Sequence, residues 1–304
     1  MAITTRAELQ DAIGNWLKNS AEYGSAGSAV ARTNEWISEA EDRLHATLRV
    51  REMEAYADIV LRLSIAAGSA GGTANALTLT LTPSPALAAY ALGNTYSFTA
   101  TATNTGPVEV AVSGQAATNI RKGDNSVPLE INDIVNTHVY HIYYDGNQFR
   151  LVPPGGVPLP SRYLGARRSY LDQAGTLSRI EIVSSDLFWS IRASTTTGSP
   201  DMATVESEYL IFGPRPDGAY SARLLYWRAF PALSGTGDDL RLLTKYRDIY
   251  LHGAMIAAWT FLDNDAQITR YAALWDDAVR RVERSDKRDR HPGPLRARPD
   301  FAAV

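Results

Sequence analysis

The 304-residue chain has no cysteine, so disulfides and thiolate metal sites are closed to it and the fold must stand on packing. It has no basic excess either. Its 30 Lys and Arg stand against 33 Asp and Glu, a formal net charge of -3, whereas a dedicated nucleic-acid binder carries a clear surplus of cations. No apolar run approaches the roughly 18 residues that a membrane span needs. The most apolar stretch, Tyr250 to Leu262, is bracketed by Arg247, Asp248, Asp263 and Asp265 and reads as a buried core helix. Met1 to Gln10 carries Arg6 and Glu8 and lacks the apolar core of a signal peptide. A soluble protein made in a cytoplasm, with no membrane partner, is the expectation.

Catalytic and ligand motifs are missing as well. His138 and His141 look like a metal pair, but residues three apart in a strand point to opposite faces. His45, His252 and His291 have no spaced partner. Asp263-Asn264-Asp265 invites a calcium-loop reading, yet Ile268 and Leu274 stand where that loop needs Gly and Glu; a helix cap is the better account. Gly68 to Gly72 and Gly235 to Gly237 lack the Gly-Lys-Ser/Thr of a phosphate loop. Neither a Gly-x-Ser-x-Gly elbow nor a His-Glu-x-x-His helix occurs. We therefore expect no catalytic residue, no cofactor and no metal, hence no enzyme.

What is present falls into three compositions. Thr5-Arg6-Ala7-Glu8 fits a capping box, and Leu9, Ala12, Ile13, Trp16 and Leu17 then recur at helical spacing. A second helix carries Ala29, Thr33, Ile37, Ala40, Leu44 and Leu48 inward, with Glu35, Glu39, Glu41 and Asp42 on a solvated face. From about Ala67 to Val157 strands follow one another. Leu77 to Thr82 alternates Leu and Thr, Tyr96 to Ala102 and Val108 to Val112 keep the same period, and Asp145-Gly146 marks a hairpin turn. A mixed pattern then returns: strands near Glu206–Phe212 and Ala219–Arg228, a helix over Asp238 to Leu262, and another opened by Asn264.

The expected fold class is thus α+β, an antiparallel helical host with a β-hairpin region, interrupted by a small all-β sandwich or barrel. Expected boundaries are 1–66 with 158–284 for the body, 67–157 for the inserted module and 285–304 for an extended C-terminal arm. Arg280, Arg281, Arg284, Lys287, Arg288 and Arg290, with Arg296 and Arg298, make the end of the chain locally basic. A solvated helix end, where cations suit the helix dipole, is one reading, a docking arm for an acidic surface another; DNA is the weaker target, because Asp286, Asp289 and Asp300 interrupt the charge.

Several phrases carry a resemblance in their order: Leu48-Arg49-Val50-Arg51-Glu52-Met53-Glu54, Leu159-Pro160-Ser161-Arg162-Tyr163-Leu164, Tyr209 to Gly218, Leu225 to Leu233, and Asp248-Ile249-Tyr250-Leu251-His252-Gly253-Ala254. In these the chain resembles the head-to-tail adaptor (connector) proteins of short-tailed bacteriophages. The middle region, through Asn104-Thr105-Gly106 and Tyr143 to Phe149, is similar to small β modules of phage fibres. The resemblance implies a virion protein at the head-tail junction, assembled in the bacterial host's cytoplasm. It implies a homo-oligomeric ring of twelve copies between the portal protein and a tail tube or nozzle protein, with DNA passing through without specific binding. The β module would brace neighbours or hold tail fibres. The C-terminal arm would dock on the portal through Arg284, Lys287, Arg288, Arg290, Arg296, Arg298 and Phe301. A receptor- or carbohydrate-binding tail fibre is the alternative reading, and a cell-wall hydrolase a third.

Overall fold

A computed structural model describes residues 3–81, 89–122, 127–173, 175–191, 197–234 and 237–290. Its helices are α1 (Arg6–Trp16), α2 (Ser20–Tyr23), α3 (Val30–Thr47), α4 (Ser185–Ile191), α5 (Gly237–Phe261) and α6 (Asp265–Arg290). The chain divides into two compact units. One joins Met1–Glu54 to Ala229–Val304, and the other is Ala55–Arg228.

The first unit is helical, and its helix ends follow local chemistry. The Thr5 hydroxyl accepts from the Glu8 amide at 3.2 Å, and the Glu8 carboxylate accepts from the Thr5 amide at 3.1 Å, so the capping box forms. Asn264 caps α6 through its side-chain Oδ1, which accepts from Gln267 N–H at 3.2 Å. α5 is the central helix. It buries Leu242, Leu243, Tyr246, Ile249, Tyr250, Leu251 and Ala254 to Ala258, apolar on nearly every side as a helix packed against α1, α3 and α6 must be. The α3–α5 contact is close: a Cβ placed on Gly253 would lie 2.8 Å from Ala40 Cβ. Glu41, expected on the solvated face of α3, is instead only 8% exposed, and its Oε1 accepts from the Leu233 amide at 2.8 Å. Leu240 and Phe261, near the two ends of α5, are 56% and 51% exposed.

The second unit overturns the expected fold class. Among the described residues helix and strand each take 34%, and the strands form two large sheets, so this is no helical host with a small β insert. One sheet has seven strands in the order Glu54–Leu61, Tyr220–Arg228, Tyr163–Gln173, Thr176–Ile182, Met202–Glu206, Tyr209–Gly213 and Gly156–Pro158. The other is barrel-like, in the order Ser64–Ser69, Thr95–Thr99, Val139–Tyr144, Phe149–Val152, Thr118–Lys122, Val108–Val112, Ala76–Leu79 and Gly71–Gly72, with Val127–Pro128 beside Thr118–Lys122.

A single stretch of chain closes the barrel. Ser64–Ser69 pairs with Thr95–Thr99, while Gly71–Gly72, only two residues on, pairs with Ala76–Leu79 at the opposite end of the order. Between them the Ala70 amide donates to Thr99 O at 2.9 Å, so one strand serves both edges. The crossing needs glycine. Gly72 has φ +86, and any Cβ there would collide with the Ala76 carbonyl oxygen. Inside lie Leu77, Leu79, Tyr96, Phe98, Val108, Val110, Val112, Ile120, Ile142 and Phe149, the alternate residues of their strands.

The barrel is not a separate bead either. Tyr143 and Val152 from its strands join Ile59, Leu61, Leu171, Ile180, Leu210, Phe212 and Leu224 of the seven-stranded sheet in one buried cluster. Shared apolar burial of this kind makes barrel and sheet one structural unit.

The hairpin at Asp145 forms as its sequence implies, with Tyr144 opposite Phe149. Asp145 Oδ1 accepts from the Asn147 and Gln148 amides at 2.9 Å each, and Oδ2 accepts from Arg150 Nε at 2.6 Å. Burial pushes this carboxyl up, but the two amides and the guanidinium outweigh it and hold it below its usual 3.8. A carboxyl depressed in the folded state stabilises above its unfolded value and loses that contribution as pH falls through the folded one. Asp145→Asn should therefore be less stable than wild type at pH 7, and the difference should shrink as pH falls from about 5 to below 3.8. Thermal melts across that range check it; a gap independent of pH would remove the electrostatic role.

Candidate interaction surfaces

The basic end of the chain is the first candidate. α6 buries Tyr271, Trp275, Ala278 and Val279 and then runs on to Arg290, about 16 Å past Val279 at 1.5 Å per residue. Its cations divide into two groups. Arg280 donates to Asp276 O at 3.2 Å, and Arg281 bridges Asp248 and Asp277 at 3.4 and 3.2 Å, so both serve the helix pair. Arg284, Lys287 and Arg288 are exposed and have no ion-pair partner among the described residues. Asp286, which interrupts the basic run in the sequence, accepts from the Arg51 amide at 2.9 Å and so ties α6 back to the 3-10 turn Arg51–Met53. Arg290 ends the helix. Arg296, Arg298 and Phe301 lie outside the described residues.

Between α5 and α6 near this end is a groove of ≈ 240 Å³, lined by Lys245, Tyr246, Asp248, Ala278, Arg281 and Ser285 among others. Its rim is held by Glu52, which takes Lys245 Nζ at 2.6 Å and the Tyr246 hydroxyl at 2.8 Å. The same pairing lifts the Tyr246 phenol far above its usual range, after burial as the larger cause.

The second candidate was not legible in the sequence. The outward face of the seven-stranded sheet mixes arginines with aromatic rings. Tyr170 stands opposite Arg179 on one side and Arg223 on the other. Between Ala166 and Arg168 the pairing with Tyr220–Arg228 slips by one residue. That bulge puts Arg167 against the Trp227 ring at 5.3 Å, on the face that also takes Arg168. Arg223 is paired with Asp58 at 2.7 Å and lies over the Tyr56 ring at 5.4 Å.

The histidines read from the sequence as a possible metal pair do not form one. His138 lies just before strand Val139–Tyr144 and His141 within it, and His45 Nε2 accepts from the Phe230 amide at 3.1 Å. Among the described residues no three His, Asp or Glu side chains are placed to hold a metal ion, and no helix is long and apolar enough to cross a membrane.

Residues 154–298 match the family model of the SU10 adaptor protein. That supports a phage adaptor. The matched stretch takes in the seven-stranded sheet from Gly156–Pro158 through Tyr220–Arg228 and then α5 and α6; the barrel strands all precede it. An adaptor family suggests a bacteriophage structural protein associated with other virion components. No curated protein matches the chain.

Proposed function

We propose that the chain is a ring adaptor at the head-tail junction. Twelve copies sit between the portal protein and a tail tube or nozzle protein, with the genome passing through the channel without specific binding. The observation that carries this reading is the adaptor match over 154–298, which ends within the basic C-terminal segment. In this reading residues 285–304 form the docking arm. Arg284, Lys287, Arg288 and Arg290, with Arg296, Arg298 and Phe301, meet the portal. Arg284, Lys287 and Arg288, exposed near the helix C-terminus, suit the helix dipole and leave their charge for an acidic partner. Such rim charges set encounter and register more than buried affinity. The barrel braces neighbouring copies or anchors tail fibres.

The test is co-expression with the portal protein of the same phage, followed by native mass measurement. Wild type should add twelve copies to the portal. The variant R284E/K287E/R288E should bind about 100-fold more weakly while keeping its circular dichroism, since none of the three touches the core. Undiminished binding by that variant refutes the docking arm, and failure of the wild type to associate refutes the ring.

A further inference from the structure

Within the second unit, barrel and sheet leave a small cavity between them, of ≈ 30 Å³, lined by Arg62, Ser64, His141, Tyr143, Gly156 and Arg215 among others. Its polar groups are unspent. Ser64 Oγ and His141 Nδ1 are both buried and have no hydrogen-bond partner among the described residues. Arg215 is only partly exposed, and its guanidinium has neither an ion pair nor a hydrogen bond among the described residues. Among the described residues no carboxylate lines the cavity.

This arrangement is costly if left as it stands. A desolvated charge normally has a counter-charge, and buried donors normally have acceptors. Here a cation, a hydroxyl and an imidazole nitrogen converge with nothing negative among them. Burial, and then the charge of Arg215, bring His141 down to about 4. At neutral pH the ring is therefore uncharged and can present one N–H. The Arg215 guanidinium, Ser64 Oγ and His141 Nδ1 can each donate, and none has an acceptor among the described residues.

We infer that this cavity binds a small monovalent anion, halide or carboxylate in kind, with Arg215 as counter-charge and Ser64 Oγ and His141 Nδ1 as hydrogen-bond donors. Size sets the class. A water needs about 10–15 Å³, so a space of ≈ 30 Å³ suits a halide or a formate-sized anion better than a tetrahedral oxyanion or a nucleotide. The three groups come from the strand that closes the barrel, from the barrel's Val139–Tyr144 strand, and from the short strand Arg215–Pro216 that follows Tyr209–Gly213. A bound anion thus ties barrel to sheet.

A ligand that binds only the folded state raises its melting temperature. The full-length protein should melt about 3 °C higher in 0.1 M sodium chloride or sodium formate than in sodium sulfate of equal ionic strength at pH 7. Separate chloride and formate arms show whether a halide or a carboxylate is preferred. The anion-dependent difference should vanish in Arg215→Gln and fall in Ser64→Ala, which guards against poor folding of the first variant. Adding chloride should also move the His141 imidazole resonances of the wild type. Equal melting in all three salts, or a difference that survives intact in both variants, overturns the assignment.

Discussion

Replacing Asn104 with alanine should cost on the order of 3–5 kcal/mol, enough to leave the barrel open at physiological temperature. Asn104 is 0% exposed, and its side chain satisfies three separate backbone groups. Nδ2 donates to Gly106 O at 2.7 Å and to Glu130 O at 2.6 Å, and Oδ1 accepts from the Ile134 amide at 2.8 Å. Its own backbone also binds Ile134 and Asn132. One amide therefore staples two loops across one end of the barrel. Alanine would leave the Gly106 carbonyl and the Ile134 amide without partners among the described residues, in a place water reaches poorly, while Glu130 O would keep only the Asp133 amide at 3.3 Å; each orphan costs about 1–3 kcal/mol. Against a total stability of roughly 5–15 kcal/mol, that is decisive. Urea denaturation of both proteins measures it; a loss below about 1 kcal/mol would mean that the staple is replaced by solvent.

Gly253→Leu should do comparable damage to the helical unit, about 3 kcal/mol or more. A Cβ at this position would lie 2.8 Å from Ala40 Cβ and 3.2 Å from Ala40 Cα, so α3 and α5 would have to separate to admit any side chain. Gly253→Ala is the sharper probe. Alanine favours helix over glycine by about 1 kcal/mol, so a net loss would show that the clash outweighs the propensity gain. Shortening the opposite side chain with Ala40→Gly should then recover part of that loss in the double variant, a coupling that independent sites do not show. Strict additivity of the two substitutions would remove the close-approach account.

The features legible in the sequence were those with a local cause. The capping box at Thr5, the Asn264 cap and the Asp145 hairpin each depend on a few neighbouring residues, and each forms where the spacing implies. The strand Glu54–Leu61 was hidden because Ala55, Ala57 and the preceding Glu residues suit a helix as well, and only pairing with Tyr220–Arg228 decides the matter. Strand Tyr163–Gln173 was hidden for another reason. The bulge at Arg167 inserts a residue, so the period-2 alternation breaks halfway and the segment reads as irregular. Missing these two strands removed the seven-stranded sheet from view and left a helical host in its place. Glu41 escaped for a tertiary reason too, since its partner, the Leu233 amide, lies far along the chain.

At the candidate surface the run of cations was visible, but not its division. Charge counting treats Arg281 and Arg284 alike. Packing spends the first on Asp248 and Asp277 and leaves the second exposed. The interruption at Asp286, which counted in the sequence as dilution of the basic charge, is an inward tether.

The way Ser64 to Gly72 serves two neighbours at once matters most when many copies are crowded together. A β structure with a loose rim will zip onto whatever similar rim it meets, and local concentrations inside an assembly are high enough to make such mistakes frequent. Here the rim of the barrel is already occupied by its own chain. Any association through that part of the molecule must then be chosen by side-chain shape and charge, which discriminate between partners, instead of by main-chain zipping, which does not.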